Sequence, residues 1–236
     1  MAYKKQGLYL PQFEHDNCGA GFIASLKNER THDIIHKSLN ILCNLEHRGA
    51  VSSDGKTGDG AGILIELPHK FFKQSCGTLQ LPQPGNYAVA MVFLPKKDNQ
   101  RQFCIDTFEG FIIEQGLIIN GWRNVPVNPD VLGRIATETQ PEVMQLFVSK
   151  PNSSMGDLEF RTKVFIARKL TENKITQSKL SERKNFYVAS FSTNTIIYKG
   201  LLMPQDISAY YPDLVNPLFV TRFALVHQRF STNTFP

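Results

Sequence analysis

A chain of 236 residues, 42% hydrophobic and 20% charged, can bury the core of one large or two small globular domains. Its formal charge of +5 comes from Lys and Arg scattered along the sequence, which argues against nucleic acid as a partner and suits a small anionic or zwitterionic ligand. Residues 1–17 carry two lysines but no apolar segment, Pro11, Glu14 and Asp16 interrupting it, and no later stretch has the length of a membrane span; neither export nor a membrane is expected, and the location is read as cytoplasmic. The four cysteines, at 18, 43, 76 and 104, show neither CxxC spacing nor a Cys/His cluster, so no zinc site is predicted and a reducing compartment fits.

Taken in chain order, Cys18-Gly-Ala-Gly-Phe-Ile-Ala-Ser-Leu26 is a short apolar run fit for a buried strand. Residues 31–46 follow as a helix, with Ile34, Ile35, Leu39, Leu42 and Leu45 near one face. A glycine-dense turn over 52–62 feeds a strand over 63–67, and Pro68 opens a short helix through Phe71 and Phe72. Tyr87 to Leu94 reads as a strand, Asp98 as the cap of a helix reaching Gln115, and Gly116 as its stop. Further strands are predicted over 117–123, 141–149, 186–192, 195–199 and 218–230, with a charged helical segment over 157–184, broken near Asn173. Without steady βαβ alternation, this order favours mixed or antiparallel sheets with helices outside. The pentapeptide Phe-Ser-Thr-Asn-Thr occurs at 191–195 and 230–234, but its flanks do not match and chance explains it. The chain stops on Thr234-Phe-Pro236, directly after a predicted strand, which reads as a C-terminal truncation.

The glycine turn invites a phosphate reading that its details weaken. Gly58-Asp-Gly-Ala-Gly62 is followed by Ile63, so the spacing is not GxGxxG; no GK[ST] is present, and the turn leads into a strand rather than a helix. Asp54 and Asp59 are read as turn-formers. Lone cysteines are mostly inert packing, yet Cys18 has unusual surroundings: Asp16-Asn17 before it, Gly-Ala-Gly after it, and a leader with no core-forming pattern. A cysteine at a chain terminus has a built-in base. Its own α-amine, with a pKa of about 7.7–8.0, takes the thiol proton near neutrality and returns a proton to a leaving amine. No histidine partner is then required, and none of the six histidines stands in a Cys/His protease signature.

Four segments together resemble the N-terminal amidotransferase domain of the glutamate synthase large subunit. They are Cys18-Gly-Ala-Gly-Phe-Ile-Ala, Leu45-Glu-His-Arg-Gly-Ala50, Asp54-Gly-Lys-Thr-Gly-Asp-Gly-Ala-Gly62 and His227-Gln-Arg-Phe-Ser-Thr-Asn-Thr-Phe-Pro236. Gly121-Trp-Arg-Asn-Val-Pro-Val127 and Tyr198-Lys-Gly-Leu-Leu202 are further matches, in the family's order over almost the whole chain. The resemblance implies an α+β fold, the αββα four-layer sandwich of N-terminal nucleophile (Ntn) hydrolases. It also implies that residues 1–17 are a propeptide removed on maturation, and that 18–236 form a glutamine amidotransferase type 2 domain incomplete at its C-terminus.

By the same resemblance Cys18 is the catalytic nucleophile, while Arg48, Arg229 and Thr232 bind substrate. Arg229 matches the arginine that holds the α-carboxylate of glutamine, a task suited to a planar guanidinium; the blander reading is a strand-end salt bridge. For Arg48 the blander reading is a charge favouring a helix C-terminus. His47 and His227 are read as hydrogen-bonded structural residues. The family's Asn-Gly oxyanion pair lies beyond Pro236, so the isolated chain is expected to be poorly active or inactive.

The implied reaction is hydrolysis of glutamine to glutamate and ammonia, the ammonia being passed in the parent enzyme to 2-oxoglutarate. No cofactor and no metal is expected in these 236 residues; FMN and a 3Fe-4S cluster are implied for the full-length parent. The implied partners are glutamine, the remaining synthase domains, and a small reductase subunit or ferredoxin. Two other readings stay open: the glutaminase domain of a different class II amidotransferase, and a non-catalytic module that keeps its leader.

Overall fold

The computed structural model describes residues 18–230. In chain order the strands are β1 (Gly19–Ala24), β2 (Ala61–Glu66), β3 (Tyr87–Leu94), β4 (Ile118–Asn124), β5 (Glu142–Ser149), β6 (Tyr187–Ser192), β7 (Thr195–Gly200) and β8 (Phe223–Gln228). The helices are α1 (His32–Asn44), α2 (His69–Ser75), α3 (Asp98–Glu114), α4 (Arg134–Thr139), α5 (Asp157–Thr176) and α6 (Ile207–Tyr210). Two four-stranded sheets result, ordered β1-β8-β2-β7 and β4-β5-β3-β6, and every pairing within them is antiparallel. The bend between β6 and β7 joins them: at Thr193 and Asn194 the chain passes from one sheet to the other, and Ser192 Oγ accepts from the Asn194 and Thr195 amides. The first copy of the pentapeptide is therefore this bend between sheets.

Burial explains the strand patterns. β3 is apolar throughout because its two faces serve two cores. Val89 and Met91 join the core of the first sheet, with Ile63, Ile65, Tyr198 and Val226. Ala88, Ala90 and Val92 face a second core built by Cys104, Phe108 and Ile112 of α3 and Phe160, Val164 and Ala167 of α5. Helix α1 lays Ile34, Ile35, Ser38 and Leu42 into the first core, the stripe that a 3.6-residue period predicts. It approaches β1 so closely that a side chain at Gly21 would stand 2.4 Å from Ile41 Cγ2.

The two further motif matches turn out to be scaffold. Arg123 on β4 donates twice to the buried Asp213 carboxylate, at 2.8 and 2.7 Å, and to Gln145 Oε1 at 2.9 Å. Tyr198 on β7 donates to the same Asp213 at 2.8 Å and accepts from Gln145 Nε2 at 2.9 Å. This network ties the second sheet to the first, and burial, with the Asp213 charge beside it, holds the Tyr198 hydroxyl protonated far above its usual range. Trp122 donates to Glu109 at 2.7 Å and so pins β4 to α3.

Several boundaries differ from the sequence reading. Asp98 is the first residue of α3, with Lys97 at the cap position and no side-chain cap bond; its carboxylate pairs instead with Arg101. Gly116 ends the helix as expected, at φ +70°. α5 runs unbroken through Asn173 and stops at Thr176, and a separate 3-10 turn covers Arg183–Asn185. The last strand begins only at Phe223, because Thr221 is held in a bridge to Thr31. α4 and α6 were not foreseen. Both are shorter than two turns, too short to show a period.

Candidate active site

The site is built at one end of the first sheet, where three separate segments meet. β8 is central there: Gln228 pairs with Gly19 of β1 on one side and Ala61 of β2 on the other. One rung further on, the Arg229 amide donates to the Gly60 carbonyl at 2.9 Å. Continuing the β1–β8 register by that same rung sets Cys18 opposite Arg229. The third segment is the 3-10 turn Glu46–Arg48 after α1, closed by the Arg48 and Gly49 amides on Leu45 and Glu46 carbonyls. It lays Arg48 against β1, since a side chain at Gly19 would stand 3.0 Å from Arg48 Cβ and 3.2 Å from Leu45 Cβ. Cys18, Arg48 and Arg229, all partly exposed, are thus brought together. Thr232 lies outside the described residues.

The glycine-dense loop before β2 is a structural lock rather than a phosphate cradle. Asp54 accepts from the Lys56 and Thr57 amides, the Thr57 hydroxyl and the Ile135 amide at the start of α4. The Thr57 hydroxyl in turn accepts from the Ala136 amide. These donors, led by the Thr57 hydroxyl, hold the Asp54 carboxyl far below the usual carboxylate range. The amides of Ser52, Gly55, Lys56, Thr57 and Asp59 are thus spent within the protein. Gly58 and Gly133 are required by close approach: a Cβ at Gly58 would stand 2.2 Å from the Leu202 carbonyl oxygen, and one at Gly133 would stand 2.3 Å from Thr57 Oγ1. The loop therefore fixes Gly60, and with it the rung that carries Arg229. Asp59, also read as a turn-former, is buried, and its amide closes the loop on the Ala50 carbonyl.

Beside Arg229 opens a cavity of about 740 Å³. Gly62, Leu64, Ile197 and Leu225 contribute apolar lining, and His227, Lys199 and Arg229 contribute basic groups. Next to Leu225 across the ladder, Phe22 is 64% exposed. The apolar strands thus present one face to the core and leave the other as the floor of a basic-rimmed cleft.

The remaining cysteines are poorly placed for nucleophilic work. All four are free, but Cys76 and Cys104 are packed in the two cores. Burial pushes the Cys104 thiol up to about 12 and raises that of Cys76; burial and then Glu46 raise that of Cys43. A thiol so shifted is almost wholly protonated at neutral pH. Among the described residues no three His, Cys, Asp or Glu side chains converge as a metal site would need. His47 and His227 are exposed, and their side chains make no hydrogen bond among the described residues. That departs from the expectation of bonded structural histidines.

Sequence reasoning missed Gln228. It is 1% exposed, and its carboxamide occupies the space over Gly49, where an added Cβ would stand 2.0 Å from Gln228 Nε2. A polar residue inside the His227–Pro236 segment, next to Arg229, gave no signal of burial.

Comparison with known proteins accords with this geometry. The family model of class-II glutamine amidotransferases matches residues 18–236, its match opening on Cys18. The chain is 45% identical over 233 residues to a glutamate synthase [NADPH] large chain of Bacillus subtilis, covering 99% of this chain and 15% of that one. It is 42% identical to a glutamate synthase [NADH] of Saccharomyces cerevisiae, over 98% of this chain and 11% of that one. It is 39% identical to a ferredoxin-dependent glutamate synthase of Synechocystis, over 94% and 14%. The chain therefore spans only 11–15% of the length of these relatives. No helix among the described residues is long and apolar enough to cross a membrane. With a family match over nearly its full length, and the family's motifs converging on one sheet end, the chain belongs to the class-II glutamine amidotransferases.

Proposed function

We propose that this chain is the glutaminase part of a cytoplasmic glutamate synthase, with Cys18 as nucleophile once residues 1–17 are removed. The observation that carries the reading is the meeting of Cys18, Arg48 and Arg229 at one sheet end, in a family whose match begins at Cys18. The overall architecture of the whole domain is then the αββα Ntn sandwich, to which the two antiparallel sheets contribute. That relatives using NADPH, NADH and ferredoxin all match along almost the whole chain favours a synthase over another amidotransferase.

In this reading the freed α-amine of Cys18 accepts the thiol proton, and the thiolate attacks the side-chain amide carbon of glutamine. The tetrahedral intermediate collapses with return of that proton to nitrogen, releasing ammonia and leaving a γ-glutamyl thioester. Water, deprotonated by the same amine, hydrolyses the thioester to glutamate and restores the thiol. Arg229 holds the α-carboxylate of glutamine in a bidentate pair, Thr232 adds a further contact, and Arg48 supports the nucleophile's side of the site. In the family that the chain resembles, the oxyanion donors are an Asn-Gly pair, each donor worth about 3 kcal/mol. Cys76 and Cys104 lie in two separate cores, Cys43 on the α1 surface and Cys18 at the start of β1, a dispersal that does not suit an iron–sulfur cluster. In this reading the FMN and 3Fe-4S cluster of a synthase, and its contacts with a reductase subunit or ferredoxin, belong to other parts of such a chain.

The test is glutaminase activity of the full-length enzyme beside its Cys18→Ala variant. The reading predicts loss of glutamine-dependent turnover with ammonia-dependent turnover retained. Full glutaminase activity in the variant refutes it.

A further inference from the structure

The Gln228 side chain combines two features that a packing residue does not need. It is 1% exposed, and its Oε1 has no hydrogen-bond partner among the described residues. A buried carbonyl left unpaired is costly, so a native structure that keeps one has a use for it. Its surroundings indicate the use. Gln228 is the β8 residue paired with Gly19, one residue after the proposed nucleophile. Its carboxamide covers Gly49, which follows Arg48, and Arg48 in turn covers Gly19. Two glycines thus make room for two side chains, and the four residues form one packed unit around the start of β1.

In the uncleaved chain the Cys18 nitrogen is a peptide amide with a fixed direction and one hydrogen. Hydrolysis of the Asn17–Cys18 bond consumes one water, leaves a carboxylate on Asn17, and gives Cys18 a rotatable amine with two or three hydrogens. We propose that Gln228 is a positioning residue: its buried side-chain carbonyl accepts a hydrogen bond from the freed Cys18 α-amine, orienting that amine toward the thiol. This rests on the reading of Cys18 as a processed nucleophile. The charged and titratable groups on the elements packed about the start of β1 are Arg48, Glu46 and His47 on the 3-10 turn, His227 and Arg229 on and after β8, and Asp59 in the loop before β2. Arginines on the flanking elements disfavour an ammonium, and a neutral carbonyl acceptor offsets them in part.

The experiment uses the full-length, processed enzyme and reads the pH dependence of kcat/KM for glutamine, whose acid limb reports the free enzyme's α-amine. A carbonyl acceptor stabilises the ammonium more than the amine. Gln228→Met, which keeps the length but removes the acceptor, should move the acid limb down by roughly half to one pH unit. Gln228→Glu, which adds a negative acceptor, should move it up. A purely structural role lowers activity in both variants and leaves the limb where it is, and that result overturns the proposal, as does a shift of both in the same direction. Should Gln228→Met not accumulate, Gln228→Glu decides alone: an upward shift supports the assignment and an unmoved limb defeats it. Cys18→Ala, run in parallel, separates the levels. If it retains glutaminase activity, the nucleophile reading has failed; if it is inactive while both limbs stay put, only the role of Gln228 has failed.

Discussion

Replacing Asp213 by Asn should destabilise the chain far more than its single-atom change suggests. Asp213 accepts two bonds from Arg123 and one from Tyr198, and the pair is enclosed, with 11% of the Arg123 side chain and 4% of the Asp213 side chain exposed. The carboxamide keeps the shape but offers one acceptor oxygen and turns an NH2 group toward donors, so the guanidinium is left buried without its counter-charge. Removing one partner of a buried pair costs about 3–5 kcal/mol. At roughly 2–4 °C per kcal/mol for a chain of this size, Tm falls by about 6–20 °C. Tyr198→Phe removes one bond to Asp213 and leaves the Gln145 amide without its acceptor, a smaller loss of about 1–3 kcal/mol. Urea unfolding followed by Trp122 fluorescence measures both. Because the side chains share one network, the double variant should cost less than the two single losses combined. An Asp213→Asn variant within about 1 kcal/mol of the parent would falsify the claim that this network joins the two sheets.

Other consequences follow from the same geometry. Gly58→Ala drives a methyl against the Leu202 backbone and should destabilise by about 1–3 kcal/mol, whereas Gly110→Ala, in mid-helix with open space around it, should stabilise by about 0.5–1 kcal/mol; equal effects in urea midpoints contradict the packing. Gly19→Val should displace Arg48 and lower kcat/KM for glutamine in the full-length enzyme by at least about tenfold, leaving ammonia-dependent turnover intact. Asp54, held low by the Thr57 and Ile135 donors, and Glu66, where bonds from Arg222 outweigh burial, both have depressed folded-state values. Their stabilisation is full above the unfolded carboxylate range of about pH 4 and is lost as pH falls through the folded values. A Glu66→Gln variant should therefore show a flatter stability profile below pH 4 than the parent, and a steeper one contradicts this assignment.

Much of the fold was legible in the sequence because long periodic segments carry their own signal. β3 and α1 lie almost where the apolar runs and the helical stripe predict, and the lack of steady βαβ alternation favoured mixed or antiparallel sheets, although β6 and β7, adjacent in sequence, enter different sheets. Boundaries set by tertiary contacts were not legible. Thr221 is bridged to Thr31 across 190 positions, and nothing local to 218–222 announces that the strand must wait until Phe223. The same holds for the site. Cys18, Arg48 and Arg229 were visible as motif residues, but the rung shared by Cys18 and Arg229 depends on the β1–β8–β2 register, and Arg48 joins them only through the packing of its turn on Gly19. Asp54 was correctly read as a turn-former, yet its bond to the start of α4 joins residues 81 positions apart. Gln228 carried no local sign of burial, and Arg123 and Tyr198 were motif residues whose task proved to be holding two sheets together.

Covalent trapping decides whether Cys18 with a freed amine is the nucleophile. The full-length enzyme is treated with a glutamine analogue bearing a diazoketone in place of the side-chain amide, which alkylates an active thiol with loss of dinitrogen, and its N-terminal peptide is then weighed. The account predicts a peptide that begins at Cys18 and carries one analogue, with Cys43, Cys76 and Cys104 unmodified and glutaminase activity lost in proportion. An active enzyme whose N-terminal peptide still begins at Met1 or Ala2, or an adduct on any other residue with Cys18 untouched, would contradict it.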